Sequence, residues 1–390
     1  MASVLSALIG TVCILFAVPA HGETNSNEIQ IPSAANPGLD HLLALADPTQ
    51  NIAFDPRLVA GVLKFIESSK ENDALYYANR LSGLTSAYYD FDISQSLEDV
   101  VSYSFNPDIP AIATMPSSAR LFQWTDTRGS RQEPPRLNQY LDRLESPVML
   151  KGIVYLEITP DLTSGAYYSY NSFQSYLLFQ HRGRKVLVAV TRQADVSSVG
   201  MKGYVLGDDD DWDYYYTHKT GLTLPALGWV KSYMYDSSGI NIYYEIDAGR
   251  PMVRCAMFKW LRAGWSKINM VQKSHIYRGL KRFGMTFKGI LEHRGLPPAA
   301  KMADDFSQIM KLSDAALTSR MEIYSGVLEK RYNSGKKHSR KWPGDIFKNK
   351  NHWRQMSRQE MESALVIEYM KYILGKSRPD ELGEILDLYR

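Results

Sequence analysis

The chain has 390 residues, of which 44% are hydrophobic, 12% aromatic and 22% charged, a composition that excludes global disorder and low-complexity fibre. The net charge of +3 hides a split: residues 1–249 carry 17 Lys and Arg against 28 Asp and Glu (net −11), and residues 250–390 carry 28 against 14 (net +14). A polarity of this size implies that the two halves attract each other or that the second half meets an anionic surface.

Residues 4–20, VLSALIGTVCILFAVPA, are uncharged. The run falls short of the roughly 20 residues a spanning helix needs. Pro19 closes it, and Ala20 and Gly22 supply the small residues a signal peptidase reads. Residues 1–22 are therefore expected to be a secretory signal, cleaved after Gly22 or after Ala20, which places the mature chain in the periplasm or outside the cell. An uncleaved anchor is the alternative, because no Lys or Arg precedes the run. Cys13 lies inside this segment, which leaves Cys255 alone in the apolar run MVRCAMF, where a buried, inert thiol is expected. Residues 23–38, polar and carrying Pro32 and Pro37, read as a flexible leader.

Residues 39–146 read as a helical region followed by a Pro-rich connector. Leu58, Val59, Val62, Leu63 and Ile66 fall at helical spacing, and Asp55-Pro56 offers an N-cap and a first-turn proline before them. The whole of 39–104 is expected to be helical. Pro107, Pro110, Pro116, Pro134, Pro135 and Pro147 break up 105–147, leaving room for one short helix.

From 148 the period changes to that of strands: Val148, Leu150, Gly152, Val154, Leu156 and Ile158 alternate with Lys151, Tyr155 and Glu157. SYLLFQ-HRGR-KVLVAV predicts a hairpin with Gly183 in the turn, and WVKSYMY-DSSG-INIYYEI predicts a second with Asp236 and Gly239 in the turn. Six to eight strands are expected over 148–262, forming an antiparallel meander rich in tyrosine. The period changes again over 267–293, where Ile276, Leu280, Phe283, Phe287 and Ile290 line one helix face. Such a helix would run about 40 Å, and burying those five side chains contributes roughly 7–15 kcal/mol before entropy. Gly295, Pro297 and Pro298 end it, and 295–390 reads as a basic helical region with a capping box at Ser357–Glu360.

The order over 147–293 of a meander, the run Glu245, Asp247, Gly249, the strand Phe258, Trp260, Leu261 and a long helix carrying Gly279-Leu280-Lys281 resembles START-like domains, also called helix-grip or polyketide-cyclase-like. The resemblance implies an α+β fold in which a curved antiparallel sheet wraps a long amphipathic helix and the gap holds a hydrophobic ligand. It brings no catalytic residue with it. The flanking helical units lie outside the resemblance.

On this reading Tyr233, Tyr243 and Trp260 are the strand-borne candidates for the cavity wall, and Ile276, Leu280, Phe283 and Phe287 the helix-borne ones. Lys259, Arg262, Lys267, Lys273, Arg278, Lys281 and Arg282, interleaved with Trp260 and Trp265, admit three readings: the solvated face of a core helix, a dock for an anionic membrane surface, or a nucleic-acid contact. Export and the lack of an accompanying motif argue against nucleic acid. The loop GDDDDWD, 207–213, fails the spacing of a Ca²⁺-binding EF-hand, and its expected partner is the basic half of the same chain. The histidines show no metal-ligand spacing, so neither a metal nor a cofactor is expected. The partner is expected to be a hydrophobic small molecule or lipid. Residues 331–358 form a basic stretch between the C-terminal helices. Two alternatives stand: an interaction or assembly protein of the envelope docking through its basic C-terminal half, and a hydrolase or cyclase using His275 or an acidic-loop Asp as base in the same cavity.

Overall fold

The computed structural model describes residues 28–69, 75–78, 80–142, 144–162, 164–224, 228–247, 249–334, 352–377, 383 and 385. The apolar run 4–20 and most of the basic stretch 331–358 lie outside them. The fold is α+β: one large sheet, antiparallel except at an edge, with a long amphipathic helix against it and helical units before and after.

The N-terminal part supplies β1 (Glu28–Gln30), α1 (Asn36–Leu45), α2 (Pro56–Ser68), β2 (Leu75–Tyr77), β3 (Thr85–Ile93) and α3 (Leu97–Ser104). Asp55 caps α2, its side chain accepting from the Arg57 amide at 2.9 Å, with Pro56 in the first turn. The expectation of helices alone over 39–104 fails at β2 and β3. β3, TSAYYDFDI, is covered on both faces: Tyr88 belongs to one core, and Tyr89, Phe91 and Ile93 to the other. A strand buried on both sides has no polar face to alternate with, so its period is hidden. The Pro-rich connector likewise contains β4 (Ala119–Thr125) as well as the short α4 (Asn138–Leu141).

Ten strands follow, more than the six to eight expected: β5 (Val148–Ile158), β6 (Ala166–Tyr167), β7 (Ser169–His181), β8 (Arg184–Gln193), β9 (Met201–Leu206), β10 (Asp213–Thr220), β11 (Leu222–Leu224), β12 (Gly228–Val230), β13 (Tyr233–Glu245) and β14 (Val253–Gly264). They divide among three sheets. The large one has the order β1-β2-β3-β14-β13-β8-β7-β5-β4, a smaller one is β10-β9-β6, and β11 pairs with β12. β7 and β8 form the predicted hairpin, with Arg182 and Gly183 both at positive φ (52° and 74°), the geometry that suits a two-residue turn between right-twisted strands. The second predicted hairpin does not exist. β13 runs unbroken through Asp236, Ser237, Ser238 and Gly239, with only a register shift between Met234 and Asp236.

The long helix α5 (Lys273–Leu291) starts six residues later than predicted and is about 28 Å long at 1.5 Å per residue. Ser266 and Lys267 sit at positive φ, and the Asn269 side chain accepts from the Val271 amide at 3.1 Å, so this segment is a turn. Three helices close the chain: α6 (Ala299–Met310), α7 (Asp314–Ser334) and α8 (Arg358–Ile373). The capping box read at Ser357 and Glu360 is present at the start of α8.

The large sheet is packed on both faces. α1 and α2 cover the outer one, where Phe179, Val188, Ile242, Tyr244, Phe258 and Trp260 point. α3 and α5 lie on the inner one, with Tyr176, Leu187, Tyr243 and Met257. A further core joins α6, α7 and α8 to β9 and β10. Among the described residues, no helix is long and apolar enough to cross a membrane.

Candidate functional site

Strand pairing decides what the inner face can bind. Lys259 stands opposite Gly239, Gly239 opposite Thr191, and Thr191 opposite Gln174. One polar row therefore crosses four strands, since directly paired residues share a face. Two residues further along, the row Met257, Asn241, Ala189, Tyr176 is largely apolar. The next, Cys255, Tyr243, Leu187, Leu178, is apolar apart from the tyrosine hydroxyl. The inner face thus grades from polar to apolar.

Above this gradient lies a cavity of about 740 Å³, bounded by the sheet, α5, the 104–118 segment, α6 and α8. Its apolar wall is aromatic. Phe105 meets Tyr176 and Tyr243 edge-on, at 5.4 and 5.3 Å between centroids. Trp124 sits 5.6 Å from Tyr176, and Phe287 is 6.1 Å from Tyr243 and stacked on Phe283 at 5.3 Å. Trp124 can lie flat over β5 because residue 152 is glycine: a Cβ there would stand 2.3 Å from Trp124 Cζ3. The floor carries Ser172, Gln174, Thr191, Ser237, Asn241 and Lys259, and the rim carries the exposed Asp108, Arg131 and Asp304.

Of the residues predicted for the wall, Tyr243, Phe283 and Phe287 line this cavity. Trp260 is on the opposite face, where its indole N–H donates to the Ala78 carbonyl at 2.8 Å. It has the parity of Phe258, one residue away from that of Lys259. Tyr233, near the far end of β13, stacks on Tyr235 at 6.1 Å outside the cavity. Ile276 and Leu280 pack α5 down without lining the cavity.

The basic set does not form one surface. Lys259 enters the cavity. Arg282 pairs with Asp209 at 2.5 Å and donates to the Tyr214 hydroxyl at 2.8 Å. Burial raises the Asp209 carboxyl against the pull of Arg282. Lys273 pairs with Glu28 at 2.5 Å and lies 3.6 Å from the Tyr77 ring centroid. Arg262 sits over Tyr235 at 5.7 Å, and Lys281 is half-buried. Lys267 and Arg278 are exposed. The acidic loop thus faces the basic half of the chain: besides Asp209–Arg282, Lys376 Nζ donates to the Asp210 carbonyl at 2.8 Å. Among the described residues, no group of three or more His, Cys, Asp or Glu is placed to hold a metal.

His275, in the first turn of α5, does not line the cavity, and burial and Arg278 pull its pKa down. Cys255 is buried with its thiol pushed well up by desolvation. Sequence reasoning missed Trp124, Tyr176 and the polar floor. Their signal is polar residues at core parity, Ser172 and Gln174 before Tyr176, and Ser237 before Gly239 and Asn241.

Compared with known proteins, the chain matches no family model and no curated relative. Among solved structures it is similar to the human StarD13 (DLC2) lipid transfer and protein localization domain, with 9% identity, over 60% of this chain and 95% of that one, at a TM-score of 0.25. Nothing is carried over at that level. The class is set by the chain's own architecture, a sheet and helix that leave a cavity between them.

Proposed function

We propose that this protein holds a hydrophobic or amphipathic small molecule, a lipid or a lipid-sized metabolite, in the cavity between sheet and α5. The observation that carries the reading is the cavity itself: about 740 Å³ with an aromatic wall and a polar floor, in the size range of about 300–1,000 Å³ and of the lining chemistry that small-molecule sites share. Phe105, Tyr176, Tyr243 and Phe287 offer edges and faces to an apolar guest. The uncharged run 4–20 supports an exported setting, and the exposed Lys267, Ile268 and Arg278 are the part of the basic segment available to an anionic membrane surface.

The test is binding of a solvatochromic apolar fluorophore to the purified chain, together with native mass spectrometry and solvent extraction of what co-purifies. Ala189 lies on the cavity floor between Tyr176 and Asn241. Ala189→Phe is expected to fill that space and weaken probe binding by about tenfold or more while the chain stays folded by circular dichroism. A folded Ala189→Phe that binds like the parent, or a parent that neither binds the probe nor carries a ligand, would remove the proposal.

A further inference from the structure

The polar end of the cavity has one feature that an apolar ligand alone leaves unexplained. Lys259 lines the floor, and its Nζ donates to Ser237 Oγ at 2.6 Å, a neutral partner. Among the described residues no carboxylate comes within ion-pair distance of it, although most other buried or half-buried cations here are paired: Arg120 with Glu157 and Glu360, Arg254 with Asp92, Arg282 with Asp209, Lys371 with Asp213 and Glu368. Burying an unpaired ammonium is costly. Desolvation pulls Lys259 down to about 8, with the nearby Asp236 charge working the other way, so the amine still carries its charge at neutral pH.

The surroundings are shaped for this side chain. A Cβ at Gly239 would stand 3.0 Å from Thr191 Oγ1, closer than an ordinary contact, and 3.6 Å from Lys259 Cδ, an ordinary one, so the glycine leaves room for the threonine hydroxyl beside the lysine stem. Ser237, which accepts from Lys259, shares the cavity lining with Tyr170. The rim acids are otherwise engaged or exposed: Asp108 pairs with Arg136, Glu362 with Arg358, and Asp304 faces solvent. The floor therefore offers one positive charge with hydroxyls beside it, next to an aromatic wall.

We propose that the cavity takes a long-chain carboxylate, its head group bound by Lys259 with Ser237 and Thr191 and its tail lying along Phe105, Tyr176, Tyr243 and Phe287. This rests on the reading of the cavity as a ligand site and specifies the ligand's head. A single ammonium balances a single negative charge. A phosphate monoester, with close to two charges at neutral pH, would leave one buried and uncompensated.

The experiment titrates dodecanoate, dodecanol, dodecyl phosphate and dodecyltrimethylammonium into the full chain by calorimetry at neutral pH. Dodecanoate is expected to bind about tenfold or more tighter than dodecanol, as a charge-assisted hydrogen bond requires, with the phosphate weaker than dodecanoate and the ammonium weakest. Lys259→Met, which keeps the stem length, is expected to bring dodecanoate and dodecanol within about threefold of each other, the acid losing far more than the alcohol. Equal binding of acid and alcohol by the parent, tighter binding of the phosphate, or an acid preference that survives in Lys259→Met would overturn the assignment and leave the cavity reading standing. Failure of all four probes would remove both. If Lys259→Met does not fold, Lys259→Gln takes its place, and the parent's own ranking of the four probes still decides.

Discussion

Lys371→Met is expected to lower the unfolding free energy by about 3–5 kcal/mol, the cost of leaving buried charge without its partner. Lys371 on α8 is fully buried; its Nζ donates to Asp213 of β10 at 2.5 Å and to Glu368 at 2.8 Å. Arg331, in the last turn of α7, donates to Glu368 at 2.9 Å and to Asp213 at 3.2 Å. Two cations and two carboxylates thus close a neutral ring that ties the C-terminal helices to the small sheet. Removing Lys371 leaves two buried carboxylates facing one guanidinium. Urea unfolding of parent and variant measures the difference, and a loss below about 1 kcal/mol would show that water or rearrangement heals the site. Replacing all four residues by apolar ones of similar volume is expected to cost less than the single change, because no orphan charge remains.

The ring also fixes a pH window. Burial works to raise Glu368, but Lys371 and Arg331 outweigh it and hold the carboxyl below its ordinary 4.5. Its contribution is complete above that value and is lost as pH falls through the folded one. Burial works to lower Lys371, but Asp213 and Glu368 outweigh it and hold the amine above its ordinary 10.5. That contribution is complete below 10.5 and is lost as pH rises through the folded value. Burial raises Asp213 despite Lys371, so Asp213 opposes folding once the pH exceeds its ordinary 3.8. The stability difference between parent and Lys371→Met is therefore expected to shrink as pH falls through the folded carboxyl values and as pH rises above 10.5 through the folded amine value.

What is legible in the sequence is local. The α2 and α8 caps depend on neighbours within a few residues, and the Arg182-Gly183 turn on two backbone angles. The period switch into α5 is visible because its apolar stripe faces one layer. The failures occur where tertiary context reverses a local preference. Asp236-Ser-Ser-Gly239 has turn chemistry, yet it is the middle of β13. Its small residues serve the cavity floor, Ser237 as partner to Lys259 and Gly239 as room for the Thr191 hydroxyl. β3 is hidden because two cores claim it. Size alone puts Trp260 in the cavity, whereas strand parity sends it outward and Lys259 inward. The charge split allows either attraction between halves or a docking surface; Asp209–Arg282 and Asp213–Lys371 are instances of the first.

The same substitution in one helix is expected to have opposite signs at two positions. Gly279 and Gly284 both lie in α5, where glycine costs roughly 1 kcal/mol relative to alanine through backbone entropy. Gly279 is exposed, and a Cβ added there would meet nothing within 4 Å, so that term stands alone. Gly279→Ala is therefore expected to stabilise by about 0.5–1 kcal/mol. At Gly284, buried against β3, a Cβ would stand 2.7 Å from both Tyr89 Cε1 and Phe91 Cε1. Those rings lie in the inner core with Phe287 and Leu291 and have little freedom to withdraw. Gly284→Ala is therefore expected to destabilise despite its helix propensity, and Gly284→Leu by about 3 kcal/mol or more, since overpacking must lift α5 from the sheet. Because Phe283 and Phe287 ride on α5 into the cavity, Gly284→Leu is also expected to weaken binding of the apolar fluorophore, which Gly279→Ala leaves unchanged. Thermal melts and probe titrations of the three variants measure both effects. A stabilising Gly284→Ala would mean that α5 does not approach β3 as closely as these contacts require, and the cavity bounded by that helix would have a different shape.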